Sequence, residues 1–325
     1  MTRIAGFGGY VPDRVMTNAD WATLVDTTDE WIVQRTGIRE RRFAAEHEST
    51  LDLAQHAAEG AMKDAGVAAD DIDEIIIATD TPDRYTPDTA ALLQDRLGCR
   101  QISTFDLAGS GCAGFVQALD VARSRIAFTP KRVLVVGVEL ISRLISWEDR
   151  ATCVLFGDAA GAVIMTADDG DAELLDVVTG TDGSKADILT LQVGGTRYPF
   201  GERAFVTGDY QRLDMDGREV FRQAVTHMSA VVSEVLGRIG RTIGDVSLVI
   251  PHQANKRIID AVGQRLGTSD GAVYVNIDRF GNTGSASVPL ALWEARTTGA
   301  IRAGDLVVLT AFGAGFHWAA AALQF

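Results

Sequence analysis

Cysteine is scarce in this chain: Cys99, Cys112 and Cys153 are the only three among 325 residues. An odd number without C-x-x-C spacing supports neither a disulfide framework nor a zinc site, so no metal is expected and a reducing cytoplasm fits best. Long apolar runs are also missing. No stretch approaches the roughly 18 to 20 consecutive apolar residues of a membrane span. Met1-Thr2-Arg3-Ile4-Ala5-Gly6 lacks the charged-then-apolar layout of a signal peptide and reads as a first strand. Positive charge is in deficit, 30 Lys and Arg against 44 Asp and Glu for a net charge of −14. That balance argues against general nucleic-acid binding and against an anionic membrane surface.

What is present is a globular composition and an internal duplication. With 46% hydrophobic residues the chain is too apolar to be disordered and long enough for two core-bearing units. Ala61–Gly66, Asp71–Ala78 and Gln94–Gly98 read as helix, turn, apolar strand, loop and helix, ending in Arg-Leu-Gly. Val235–Gly240, Asp245–Ile250 and Gly263–Gly267 repeat that plan. The match continues from Phe105-Asp106 and its Gly-rich loop to Ile277-Asp278 and a second such loop. It ends on the apolar runs Arg132–Gly137 and Asp305–Thr310. Short apolar strands alternating with helices predict an α/β fold with buried, largely parallel sheets covered by helices. The junction is placed at the acidic turn Thr166–Asp171, giving halves 1–168, with the cysteine, and 169–325, with a histidine and an asparagine. The stretch from Asp182 to Gln211 has weak periodicity and is expected to run over the active-site side.

Cys112 stands in Gly109-Ser110-Gly111-Cys112-Ala113-Gly114-Phe115, between a strand and a buried helix. Unpaired amides and the positive end of a helix dipole at that place favour a thiolate nucleophile. Packing as a small buried cysteine is the other reading of the same residue. If the halves stack, loops after equivalent strands converge on one face. Pro251-His252-Gln253-Ala254-Asn255 then brings an imidazole, and Gly281-Asn282-Thr283-Gly284-Ser285 an amide, to the Cys112 loop. Cysteine, histidine and asparagine together make a nucleophile and a polarising pair. Alone, His252 also reads as a hydrogen-bonded structural histidine and Asn282 as a turn former.

The motifs Asp29–Arg41, Gly111–Phe115, Asp149–Thr152, Phe156–Ala162, Pro251–Asn255, Gly281–Thr283 and Phe312–Gly315 cover almost the full length. In that combination the chain resembles the β-ketoacyl-acyl-carrier-protein synthase III family, condensing enzymes of the thiolase superfamily. The resemblance implies a thiolase-like αβαβα sandwich of two duplicated halves, one five-stranded sheet from each, normally in a homodimer. It implies that Cys112 takes the acyl group of an acyl-CoA, with the backbone N–H groups of Cys112 and Ala314 as oxyanion hole. His252 and Asn282 then stabilise the enolate formed when malonyl-acyl-carrier protein loses carbon dioxide, and a 3-ketoacyl product results. No cofactor is implied, coenzyme A entering only as a thioester. Trp31 and Arg150 would sandwich the adenine, Arg35 meet the phosphates and Asn255 touch the pantetheine. Arg222, Lys256 and Arg257 would dock an acidic carrier protein. Phe156-Gly157-Asp158 matches a structural turn.

Two departures bear on the substrate. The loop between Asp106 and Cys112 carries one residue more than the housekeeping pattern, and Gly284-Ser285 stands where Ser-Ala is common. Thr86 falls where many relatives place a phenylalanine that closes the acyl pocket across the dimer, so primers longer than two to four carbons are expected unless Tyr85 fills the gap. A specialised priming ketosynthase or acyltransferase of a polyketide pathway is the alternative. A cysteine hydrolase and a non-catalytic αβ scaffold are the readings from other classes.

Overall fold

Alternation along single strands sets the layers of the molecule. In Val133–Leu140, Val133 and Val135 join one apolar cluster while Leu134, Val136, Val138 and Leu140 join another, as side chains of a strand covered on both faces must. The structure is a computed structural model of the single chain and describes residues 1–129, 131–201, 206 and 213–325. Its main sheet comprises β1 (Arg3–Tyr10), β2 (Glu74–Ala78), β3 (Ser103–Leu107), β4 (Val133–Leu140), β5 (Asp158–Thr166), β6 (Ala172–Thr181), β7 (Leu248–Pro251), β8 (Leu306–Gly313) and β9 (His317–Gln324). The spatial order is β7-β8-β9-β6-β1-β5-β4-β2-β3.

The duplication is visible in that order. From β1 outward, β5 and β4 pair antiparallel, then β2 and β3 parallel. From β6 outward, β9 and β8 pair antiparallel, then β7 parallel. The pairs Arg3↔Glu173 and Ile4↔Ala172 fuse the two sets into one sheet. Among the described residues the expected five strands per half are five and four: the last strand of the second half shrinks to a single parallel bridge between Val273 and Val249. Ile277-Asp278, matched from sequence to strand residues Phe105-Asp106, instead opens a helical turn, Ile277–Phe280. The side chain of Gln253 explains the change. Its Nε2 donates to Tyr274 O at 3.1 Å, and its Oε1 accepts from the N–H groups of Asn276 and Ile277 at 2.9 and 3.1 Å. Backbone groups that would continue a ladder are satisfied by that amide.

Among the described residues, seven longer helices complete the sandwich: α1 (Asp29–Thr36), α2 (Thr50–Ala65), α3 (Thr89–Leu97), α4 (Gly114–Phe128), α5 (Gly217–Arg238), α6 (Lys256–Leu266) and α7 (Ser287–Thr297). Leu53, Ala57 and Ala61 of α2 pack on Leu134, Val136 and Ile164 on one outer side. Val231, Val232 and Val235 of α5 pack on Val308, Ala320 and Ala322 on the other. Between the two sets of strands lie α4 and α7. Their Phe115, Val116, Leu119, Val288, Ala291 and Leu292 share a cluster with Val135 and Val163 of one half and Val307 and Leu309 of the other. Each such large side chain contributes roughly 1.5–3 kcal/mol by leaving water. This is a thiolase-like αβαβα sandwich, with the N-termini of α4 and α7 brought together at its centre. Among the described residues no helix is long and apolar enough to cross a membrane.

Candidate active site

Each central helix is entered through the same device. Gly111–Ala113 forms a 3-10 turn leading into α4, and Gly284–Ala286 forms one leading into α7. Gly111 at φ 53° and Gly284 at φ 56° take left-handed conformations that favour glycine. Cys112 and Ser285 therefore hold equivalent places in the two halves. The Cys112 loop rests on the end of β8 so closely that glycine is required on both sides. A Cβ on Gly313 would stand 2.5 Å from Cys112 N, and one on Gly111 would stand 2.6 Å from Ala314 N. The backbone around Cys112 and that around Ala314 are thereby held in close approach.

The thiol of Cys112 is pushed above its ordinary value, chiefly by burial and then by Glu139 and Asp80. Sequence reading expected the helix start to favour a thiolate. Enclosure by protein and two nearby carboxyls outweigh the local amides, so the resting side chain is a thiol that keeps some surface open to a cavity. Cys99 and Cys153 are buried and stand outside the lining of that cavity.

His252 follows β7, its N–H donating to Thr310 O at 2.7 Å. Burial pushes its pKa down to about 3, which leaves a neutral imidazole. Nδ1 is buried without a partner, Nε2 has no hydrogen-bond partner among the described residues, and the ring lines the cavity. Asn282 is clamped through its backbone: its N–H donates to Leu155 O at 2.8 Å, and its carbonyl accepts from Gly157 N at 2.9 Å. Its side-chain Oδ1 accepts from Gly284 N at 2.9 Å, which aims the Nδ2 donors at the cavity. The structure thus brings Cys112, His252, Asn282 and Ala314 to one cavity of about 1050 Å³. Asp158 stays out of this chemistry: it holds the N–H of Ala44 at 2.8 Å and both the N–H and hydroxyl of Ser142 at 3.0 and 2.6 Å.

The remaining sequence-predicted residues divide. Arg35, Asn255 and Arg257 line the cavity, joined by Arg218. Asn255 also caps α6, its Oδ1 accepting from Arg257 N at 2.9 Å and its Nδ2 donating to Arg35 O at 3.1 Å. Trp31 and Arg150 lie outside the lining, where the guanidinium groups of Arg35 and Arg150 each sit 4.8 Å from the Trp31 ring centroid. A planar base would have to part Arg150 from the indole. Arg222 is bonded to Glu219 and Lys256 to Asp260, each at 2.5 Å. Thr86 is exposed and its hydroxyl donates to Tyr85 O at 2.8 Å, while Tyr85 itself joins the cavity wall and approaches Phe200. Of the 182–211 stretch, Leu189, Leu191 and Phe200 also reach that wall, whereas 202–205 and 207–211 lie outside the described residues.

Sequence reasoning missed Asp80 and Glu139, which line the cavity with Cys112. A signal was available. Glu139 is the one charge in Val-Leu-Val-Val-Gly-Val-Glu-Leu, and Asp80 follows β2 much as His252 follows β7.

Comparison with known proteins adds an independent line. Residues 105–183 match the family model described as 3-oxoacyl-[acyl-carrier-protein] synthase III, and residues 236–325 match its C-terminal counterpart. The chain is similar to a β-ketoacyl-[acyl-carrier-protein] synthase III of Nitratidesulfovibrio vulgaris strain DP4, 47% identical over 99% of this chain and 98% of that protein. A protein of the same name from Xanthomonas campestris pv. campestris is 48% identical over 100% of this chain and 98% of its own. Among solved structures, 3-oxoacyl-[acyl-carrier-protein] synthase III of Aquifex aeolicus VF5 superposes with a TM-score of 0.91 at 42% identity, each chain covered in full (100%). The priming β-ketosynthase of the R1128 polyketide pathway gives 0.90 at 35% identity, covering 100% of this chain and 96% of that one.

Proposed function

Because the chain belongs to the 3-oxoacyl-[acyl-carrier-protein] synthase III family, we propose that its cavity performs a two-stage acyl transfer and condensation. Cys112 attacks the thioester of an acyl-CoA, and the N–H groups of Cys112 and Ala314 hold the oxyanion that exists only in the tetrahedral state. CoA leaves and an acyl-enzyme remains. Malonyl-acyl-carrier protein follows. Nε2 of His252 and Nδ2 of Asn282 donate to its thioester carbonyl, stabilising the enolate as carbon dioxide departs. That carbanion attacks the acyl-enzyme and gives 3-ketoacyl-carrier protein, the initiating step of fatty acid synthesis. The departing carboxylate itself generates the carbon nucleophile, so coenzyme A serves as substrate rather than cofactor.

The observation that carries this reading is the pair of free donors, on His252 and Asn282, opening on the same cavity as the cysteine. A hydrolase has no identifiable reason to bind a malonyl thioester, and a scaffold needs none of the three groups; the family membership separates condensation from hydrolysis. The 47% and 48% identical relatives favour the housekeeping condensation over polyketide priming. Arg35 and Asn255 on the wall, with Trp31 and Arg150 beyond it, are proposed to hold the CoA. A planar adenine between indole and guanidinium suits both partners. A cytoplasmic homodimer, its duplicated halves dividing near residue 168, is part of the same proposal. So is a medium-chain primer preference, on the condition that Tyr85, which stands in the cavity wall where Thr86 does not, leaves room for the chain; each buried methylene contributes about 0.8 kcal/mol.

Incubating the protein with acyl-CoA and then malonyl-acyl-carrier protein tests the assignment. Condensation yields a 3-keto product. Free acid indicates hydrolysis, an unextended acyl product indicates simple transfer, and unchanged reagents indicate a scaffold; any of these three overturns the proposal.

A further inference from the structure

Two carboxyl groups outside the mechanism above, Asp80 and Glu139, share the cavity wall with Cys112 and bear on its thiol. Asp80 accepts the N–H of Gly109 at 2.7 Å through Oδ1, and the Gly111 amide bonds to it as well, which ties this carboxylate to the residue preceding Cys112. Both Asp80 and Cys112 face the cavity. Glu139, on β4, lies behind Asp80: its Oε1 accepts the Asp80 N–H at 3.1 Å and its Oε2 the Thr81 hydroxyl at 2.7 Å. His317, on β9, is the basic group that bears on Asp80, and His252 and Asn282 lie across the same cavity.

The hydrogen bonds to Glu139 are divided ones. Ser285 Oγ donates toward Glu139 Oε1 and toward Ala78 O, each at 2.8 Å. With one hydroxyl proton for two acceptors, Ser285 serves a charged Glu139 only in part. Burial and the neighbouring Asp80 push Glu139 up to about 8, in agreement. Glu139 is a neutral acid at pH 7 and has no room for a second proton. His252, with its pKa near 3, is a poor acceptor. Burial pushes Asp80 up as well, against the Gly109 and Gly111 amides and His317, which hold it down; among the described residues of the wall around Cys112 it is the base that remains.

We propose that Asp80 is the general base of the acylation half-reaction. Its carboxylate takes the thiol proton of Cys112 as sulfur attacks the acyl-CoA carbonyl, and hands that proton to the CoA sulfur as the old C–S bond breaks. One S–C bond forms, one breaks, and Asp80 ends as it began, with free CoA thiol released. Glu139 is a positioning residue, holding the Asp80 backbone while adding no second negative charge. This step rests on the acyl-CoA reading above and adds to it the fate of a proton that a resting thiol must lose.

The test compares single-turnover acylation by acyl-CoA with alkylation by iodoacetamide at pH 7, in the wild type and in Asp80→Asn. The asparagine keeps an oxygen for the loop amides but cannot take a proton. Acylation is expected to fall about 10²–10³-fold, within the range for loss of a general base. Alkylation is expected to rise, because removing a negative charge beside the thiol increases its thiolate fraction. The acid limb of the acylation pH profile should also disappear. A loss of packing alone would not slow one reaction and speed the other. In Asp80→Ala, added formate is expected to restore acylation in a saturable way. Equal acylation in wild type and Asp80→Asn overturns the proposal, as do acylation and alkylation both rising, or failure of formate to act on a folded Asp80→Ala protein. A wild type that takes no acyl group on Cys112 overturns the functional reading as well, which separates the two failures.

Discussion

At Cys112 two influences oppose each other: the amides at a helix start favour a thiolate, while enclosure and the carboxyls of Glu139 and Asp80 favour the thiol, and the second set prevails. His252 is governed by burial alone. Its two roles separate in experiment. Replacing His252 or Asn282 by Ala should leave Cys112 acylation measurable and slow carbon dioxide release by about 10²–10³, the usual effect of removing one oxyanion-type donor; release at the parental rate contradicts the assignment. The buried imidazole also couples stability to pH. Its pKa is about 3 folded and about 6.5 unfolded, so between those values the unfolded chain binds a proton that the folded chain refuses. Stability is therefore full above pH 6.5 and falls as pH drops toward 3, by up to about 1.4 kcal/mol per unit. Urea unfolding at pH 5 and pH 7 should show a smaller pH difference in His252→Asn than in the wild type; equal differences contradict the buried neutral histidine. Cys112, His252 and Asn282 were legible because each sits in a loop that the duplicated pattern places at a strand end. Asp80 and Glu139 were marked only as a lone charge in an apolar strand and an acid at a strand end; that the two stand together is set by the fold.

Glycines at the crossing of the two halves decide whether the elements can meet. Gly313, at the end of β8, has no room for a side chain: a Cβ would stand 2.5 Å from Cys112 N and 2.9 Å from Ser110 O. Both neighbours are backbone, so the nucleophile loop itself would have to shift. Gly313→Ala is expected to lower acylation at least 10²-fold, since displacements of about 1 Å carry that penalty, and to lower the melting temperature. Parental activity together with parental melting would show that the loop yields freely. At this scale the helices and inner strands were readable from their apolar runs. The last strand of the second half was not. Val273 to Val275 have the composition of a strand, but Gln253, distant in sequence, satisfies the backbone that follows and turns Ile277–Phe280 into helix.

The molecule as a whole is acidic, with a net charge of −14, yet the cavity wall carries Arg35, Arg218 and Arg257. Of the residues proposed to receive a carrier protein, Arg222 and Lys256 already face Glu219 and Asp260, which leaves Arg257, beside the Phe221 ring, the least compensated. Charge reversal at Arg257 should raise KM for malonyl-acyl-carrier protein several-fold and weaken its salt dependence, while acylation by CoA thioester is spared. Reversal at Arg222 should do less; an unchanged KM in both removes the docking surface. Composition excluded nucleic acid as a partner class, but total charge says nothing about a local patch, which only the packing of α6 against α5 assembles. The central claim is that Cys112 carries the acyl group and that malonyl-acyl-carrier protein discharges it by condensation. Peptide mass spectrometry after acyl-CoA treatment, followed by addition of malonyl-acyl-carrier protein, tests both parts. The predicted result is an acyl adduct on Cys112 that disappears with stoichiometric carbon dioxide and 3-ketoacyl-carrier protein. An adduct on Cys99 or Cys153 with Cys112 unmodified, or discharge as free acid, would contradict the account.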